Sequence, residues 1–155
     1  MSLFQVRDGF MEPTICRNDI LVIPPTDGKL DRWQLAVLKR GPIASEFKPK
    51  ERPNEILRVA GLPGEAVLVN AQGVFIDGLL REDDVYAPRK SNYSFGPVTV
   101  PAGEYFLLAD RRWKAIDSRN STKAIGAPTF YSPDQLIGEL PADTRACKVN
   151  SPGDD

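Results

Sequence analysis

Short apolar stretches, each cut off by proline, glycine or charge, run the length of this chain. Stretches of that length suit strands better than helix faces. The spacing predicts strands over 4–6, 20–23, 35–38, 55–60, 66–69, 74–76, 98–100 and 104–108. Asn70-Ala71-Gln72-Gly73 has hairpin chemistry between two of them, with Gly73 free to take positive φ. Gly61-Leu62-Pro63-Gly64 reads as a tight turn, the proline fixing φ and each glycine able to take positive φ. The best helical segment, 133–136, is only about a turn long. Segments 41–54 and 81–97 are polar, proline-containing loops, and the tail over 145–155 reads as disordered. No internal repeat is present. The pattern describes a mainly β protein.

Composition narrows what such a protein can do. A length of 155 residues suits one domain that buries its own core. With 20 basic and 21 acidic residues there is no global positive field, which argues against a nucleic-acid partner. The local basic cluster Arg111-Arg112-Trp113-Lys114 reads as a solvated loop. Histidine is absent, which removes Ser-His-Asp and Cys-His catalysis and nearly every catalytic zinc site. Cys16 and Cys147 cannot build a four-thiolate metal site. They could pair in an oxidising compartment, but two separate thiols are the plainer reading. No glycine-rich phosphate loop occurs, and no cofactor or metal is implied. The apolar runs 20–23 and 35–38 are far short of the ~20 residues that span a bilayer, and no signal-peptide-like apolar region precedes Phe4.

Five blocks, in order between residues 4 and 140, carry a resemblance. Phe10-Met11-Glu12-Pro13-Thr14 resembles Ser-Met-Glu-Pro-Thr, the nucleophile box of type I signal peptidases (peptidase S26, with the LexA/signal peptidase-like fold), and Phe10 stands where the serine would be. Leu57-Arg58-Val59-Ala60-Gly61-Leu62-Pro63-Gly64-Glu65 resembles the family's lysine box, with Leu57 in place of the lysine. The strand Pro97-Val98-Thr99-Val100-Pro101-Ala102-Gly103-Glu104-Tyr105-Phe106 is similar to the family's Pro-Val-x-Val-Pro-x-Gly-x-Tyr-Phe. Ala109-Asp110-Arg111 with Asp117-Ser118-Arg119, and then Leu136-Ile137-Gly138, complete the series. The resemblance implies coiled antiparallel sheets over 1–144, with a small β cap around 66–100. It also implies the extracytoplasmic face of a bacterial membrane. The family's anchor lies just before the serine box and is not among these residues, so anchored and soluble forms both stay open.

In the family, a serine hydroxyl attacks the scissile carbonyl while a lysine kept neutral by apolar burial takes its proton. Phe10 has no heteroatom to attack with, and Leu57 has no nitrogen to receive a proton. Ala115 occupies the place of the hydroxyl residue that holds the lysine. Asp8 stands two residues before the nucleophile position, where a small or hydroxylated residue often serves the oxyanion hole. A carboxylate there would oppose a developing oxyanion. No catalytic residue is intact. Arg58, Asp110, Asp117 and Arg119 survive and fit a structural supporting role, Asp117 and Arg119 as a salt bridge.

In active relatives the substrate lies extended between the strands before the serine and before the lysine. The candidate peptide cleft is therefore Val6, Gly9, Phe10, Met11, Pro13, Ile56 and Leu57. Strand addition needs no catalytic side chain. The expectation is a pseudo-peptidase that binds or helps assemble secreted or membrane-associated polypeptides, its partner an extended peptide, with contact to a membrane surface. Two alternatives stand beside it. One is a peptidase with a non-standard nucleophile, Thr14 or Cys16 being nearest. The other is a structural interaction domain whose old cleft is closed. Trp33 and Trp113 fit either an interfacial apolar patch or core packing.

Overall fold

In the computed structural model, residues 1–39 and 54–147 are described, and nearly all of the regular structure in them is antiparallel strand. The strands are β1 (Ser2–Gln5), β2 (Ile20–Ile23), β3 (Leu35–Leu38), β4 (Glu55–Gly61), β5 (Ala66–Asn70), β6 (Gly73–Ile76), β7 (Leu79–Leu80), β8 (Phe95–Thr99), β9 (Phe106–Leu108) and β10 (Leu136–Leu140). They form a β1-β2 ribbon, a sheet of order β10-β3-β4-β9 and a second sheet of order β7-β6-β5-β8. The mainly β expectation holds. Helix is confined to α1 (Ser121–Ile125) and a 3₁₀ turn at Pro133–Gln135.

β4 organises the molecule. It lies between β3 and β9, and all seven of its residues are buried. Ile56, Leu57 and Val59 join one apolar cluster with β1, β2 and β3, while Ala60 joins a second with β5, β6 and Phe106. A strand covered on both faces carries no polar alternation, which is why 56–60 reads as a continuous apolar run broken only by Arg58. The ribbon alternates instead: Phe4, Leu21 and Ile23 point inward, and Leu3, Ile20 and Val22 outward.

The two predicted turns form by different means. Gln72 N–H donates to Asn70 Oδ1 at 2.8 Å, and Gly73 opens β6 with φ +139°. Gly64 takes φ +86° after Pro63, whereas Gly61 does not take positive φ. Its requirement is space, since a Cβ there would sit 2.5 Å from Val67 Cγ2 and 2.9 Å from Phe106 Cβ.

Several boundaries depart from the expectation. The first strand starts earlier than 4–6, and the last predicted one shortens to β9, with Tyr105 bridging Tyr131 instead. β8 begins inside the segment read as a loop and carries Pro97 on the edge of its sheet, where no ladder donor is missed. β7 and β10 were not anticipated. β10 contains Gly138, a poor strand former by propensity. There the missing side chain admits Ile23 Cγ2 and Pro24 O, which would lie 2.4 Å and 2.8 Å from a Cβ. The 133–136 segment is a single turn, capped by Ser132, that leads into β10.

The cysteine reading is corrected. Cys16 and Cys147 are joined in a disulfide, Cα–Cα 5.0 Å, across 131 residues of sequence. Pairing over that separation depends on a fold that brings both ends together, which spacing does not display. Residues 145–147 are accordingly ordered, and the remainder of the predicted tail lies outside the described residues, as does nearly all of the predicted loop 41–54. No helix among the described residues is long and apolar enough to cross a membrane.

Candidate functional site

The segment between β1 and β2 folds into a tight turn. Glu12 N–H donates to Gly9 O at 3.2 Å, and the N–H groups of Thr14 and Ile15 donate to Met11 O at 2.8 and 3.0 Å. Val6 N–H donates to Asp19 O and Asn18 N–H to Val6 O, closing the loop above the ribbon. Met11 and Ile15 are buried in the first cluster, while Pro13, behind a cis Glu12–Pro13 bond, is exposed. Gly9 is buried, and a Cβ on it would press on the Glu12 carboxylate at 3.2 Å.

At the tip, Phe10 N–H donates to Asp8 Oδ1 at 3.0 Å, so a carboxylate occupies the backbone donor of position 10. The Phe10 ring is half-buried against the first cluster. Leu57 belongs to that cluster and has no solvent exposure, and Ala115 packs against it from the loop after β9. The three positions from separate sequence blocks thus meet in one apolar environment. Val6 and Ile56 are buried in it as well, so their side chains face the core.

A polar hub fastens the turn from below. Arg58 Nε and Nη2 donate to the two oxygens of Asp110, each at 2.7 Å, and neither side chain has any solvent exposure. Arg58 Nη1 donates to Trp33 O at 2.7 Å and Ala142 O at 3.0 Å, and the guanidinium lies 3.8 Å from the Tyr86 ring centroid. Asp110 also accepts the Thr14 hydroxyl at 2.5 Å, and its N–H points at Met11 Sδ, 3.4 Å away. Arg111 N–H donates to Phe10 O at 3.0 Å. The pairing of Arg58 with Asp110 was not legible in the sequence. Both residues were named, but 52 residues separate them.

A second ion pair stands beside it. Asp117 accepts Arg119 Nη2 at 2.8 Å and Ala109 N–H at 2.9 Å. Arg119 Nη1 reaches Ser91 Oγ at 3.0 Å and Arg112 O at 2.8 Å. Burial alone would lower the pKa of Arg119; the charge and hydrogen bonds of Asp117 outweigh it and raise it, so this guanidinium stays charged. Burial likewise pushes the Tyr93 hydroxyl above its ordinary value.

The basic cluster is corrected in part. Arg112 is 2% exposed and donates to Asp84 Oδ2 at 2.7 Å and Ala109 O at 2.7 Å. Asp84, Tyr86 and Ser91 come from the segment read as a polar loop, so that segment is docked on the core by buried arginines. An acidic residue in a loop gives no sign of the arginine it will meet, and Asp84 was missed for that reason. Trp33 is buried. Trp113 is half-buried, with the guanidinium groups of Arg89 and Arg111 5.1 and 5.8 Å from its ring centroid.

Among the described residues, one group of donors is close enough to hold a metal ion, Cys16, Asp19 and Cys147, and its two sulfurs are consumed by the disulfide. The other candidate nucleophile, Thr14, is buried with its hydroxyl committed to Asp110.

The family described as signal peptidase, peptidase S26, matches residues 1–142. A signal peptidase I from Bacillus licheniformis is 34% identical over 143 residues, covering 86% of this chain and 74% of that protein. A probable signal peptidase I-2 from Synechocystis sp. is 34% identical over 118 residues, 73% of this chain, and the chain spans only 52% of that relative's length. The crystal structure of a signal peptidase I from Enterococcus faecalis V583 superposes with a TM-score of 0.50 at 24% identity, over 73% of this chain and 97% of that one, a likeness of fold.

Proposed function

The chain belongs to the signal peptidase family, peptidase S26, and from that premise we propose that it is a pseudo-peptidase: it binds extended segments of secreted or membrane-associated polypeptides and does not cleave them. The observation that carries this reading is the hydrogen bond from Phe10 N–H to Asp8 Oδ1. Acyl transfer needs preorganised donors aimed at the developing oxyanion, and a backbone N–H at the nucleophile position is a natural one. Here that donor is taken by a group of the charge the site would have to stabilise.

The rest of the centre supports the same reading. Position 10 offers no lone pair, Leu57 no base, and Ala115 no hydroxyl to hold a base in place. A substitute nucleophile would have to come from Thr14 or Cys16, which are engaged by Asp110 and by Cys147. Binding needs less. Among the described residues β1 pairs only with β2, and an extended peptide adds to such an edge through main-chain hydrogen bonds. The outward side chains of the ribbon, Leu3, Ile20 and Val22, are 77%, 67% and 57% exposed, which favours contact with a membrane surface beside the groove.

One observation favours a second reading, a structural interaction domain. Leu57 is sealed in the core and Phe10 packs on the same cluster, so the old catalytic pocket is filled. The two readings separate in one experiment. The protein is mixed with a preprotein or signal-peptide substrate in detergent, and both cleavage and the amide shifts of β1 are followed. Peptide binding predicts intact substrate with shifts along β1. The structural reading predicts intact substrate and no shifts. Cleavage would sink both.

A further inference from the structure

The disulfide does more than join distant positions. After β10 the chain runs as a strap, residues 141–147, across the base of the box turn to Cys147. The non-covalent hold on this strap is slight. None of its residues is buried, and Thr144 N–H is used up in a turn with Pro141 O. What remains is Ala146 N–H donating to Thr14 O at 3.1 Å, Ala142 O accepting from Arg58 Nη1 at 3.0 Å, and two methyls, Ala146 against the first cluster and Ala142 against the second. Two hydrogen bonds, one given and one accepted by the strap backbone, and two methyl contacts do not offset the chain entropy of ordering seven residues. The covalent bond does. What the strap covers is also specific. It supplies one hydrogen bond to Arg58 and one to Thr14, and both residues bind Asp110.

We propose that Cys16–Cys147 is a redox latch, clamping the strap over the Arg58–Asp110 pair while oxidised and freeing it on reduction, which wets that pair and loosens the box turn. The reductant is a dithiol. One of its thiolates attacks a sulfur of the disulfide to give a mixed disulfide and release the other cysteine. Its second thiol then displaces the remaining cysteine, so two electrons and two protons pass to the protein and the dithiol leaves as a disulfide. Both cysteines are partly exposed, which permits the attack. The Asp19 carboxylate meets an incoming thiolate with like charge, its oxygen lying within 4.8 Å of the sulfurs. The latch therefore opens slowly. A chain exposed to dithiols would keep the strap open, and an oxidising compartment would close it.

Amide hydrogen exchange on the intact chain, oxidised and then reduced with dithiothreitol, tests this. The expected result is exchange at Ala146, Thr14 and Ile15 faster by about a hundredfold in the reduced protein, with the chemical shifts of β4 and β9 still native. Cys147→Ser without reductant should reproduce the reduced pattern, and dithiothreitol should then change nothing further. Unchanged exchange at Ala146 on reduction would overturn the latch. So would loss of native shifts in β4 and β9 at the same time, because the bond would then be a staple for the whole fold.

Discussion

Arg58 meets Asp110 through two parallel hydrogen bonds of 2.7 Å, in a pocket that solvent does not reach. Asp110 in turn accepts the Thr14 hydroxyl, so the pair links the central strand to the turn that carries Phe10. Removing one partner strands the other charge without water. Arg58→Ala should lower the unfolding free energy by about 3–5 kcal/mol. Arg58→Lys should recover part of that, since it keeps the charge but loses the bidentate fork and the stacking on Tyr86. Urea denaturation followed by tryptophan fluorescence reads both.

Leu57 has no solvent exposure, so a lysine there must enter an apolar cluster. Desolvation disfavours the ammonium and depresses its pKa in the folded state. A depressed lysine means that the unfolded chain binds more protons, so stability of Leu57→Lys should rise with pH up to the ordinary lysine value near ~10.4. The expected gain between pH 7 and pH 10 is about 3 kcal/mol relative to wild type. A flat difference would mean that the side chain finds water.

On the pseudo-peptidase proposal, placing a serine at position 10 and a lysine at position 57 should not by itself give catalysis. In Phe10→Ser with Leu57→Lys, Asp8 still binds the amide of position 10, and Ala115 still lacks a hydroxyl. Adding Asp8→Ser and Ala115→Ser should raise cleavage of a preprotein substrate by about a hundredfold or more over the double variant, the usual worth of one oxyanion donor. Gel assays of single-turnover cleavage compare the two.

Glu65 closes the Leu62–Glu65 turn, accepting Leu62 N–H at 2.7 Å and pairing with Arg32 at 2.6 Å. Burial alone would raise its pKa; the hydrogen bonds from Arg32 and Leu62 and the charges of Arg32 and Arg81 outweigh it, so the value lies below the ordinary 4.5. The folded value being the lower one, the stabilisation is present above pH 4.5 and fades as pH falls below it. Thermal unfolding from pH 6 to pH 3 should show a shallower loss for Glu65→Gln than for wild type. The effect is modest, because solvent screens the pair.

The β texture, most strand positions and the family resemblance that singled out Phe10, Leu57, Ala115 and Asp8 were all readable along the chain. They depend on local propensity and on motif order. β10 was hidden because Gly138 argues against a strand until Ile23 is known to sit on it. The ordered state of 81–97 was hidden because its anchors, Asp84 and Ser91, look like ordinary loop residues until Arg112 and Arg119 arrive beneath them.

By itself, then, the sequence determined the family, the β class and which residues stand in the blocks that resemble the family's. Those are properties of residues and their order. Only the tertiary structure decided that Asp8 takes the Phe10 amide, that Arg58 and Asp110 pair out of solvent, and that Cys16 closes on Cys147. The last two join residues 52 and 131 positions apart, and geometry of that kind arises only when packed sheets bring distant segments within bonding distance. The Asp8 contact is local, but it depends on the conformation of a turn held in place by Asp110 and Arg111.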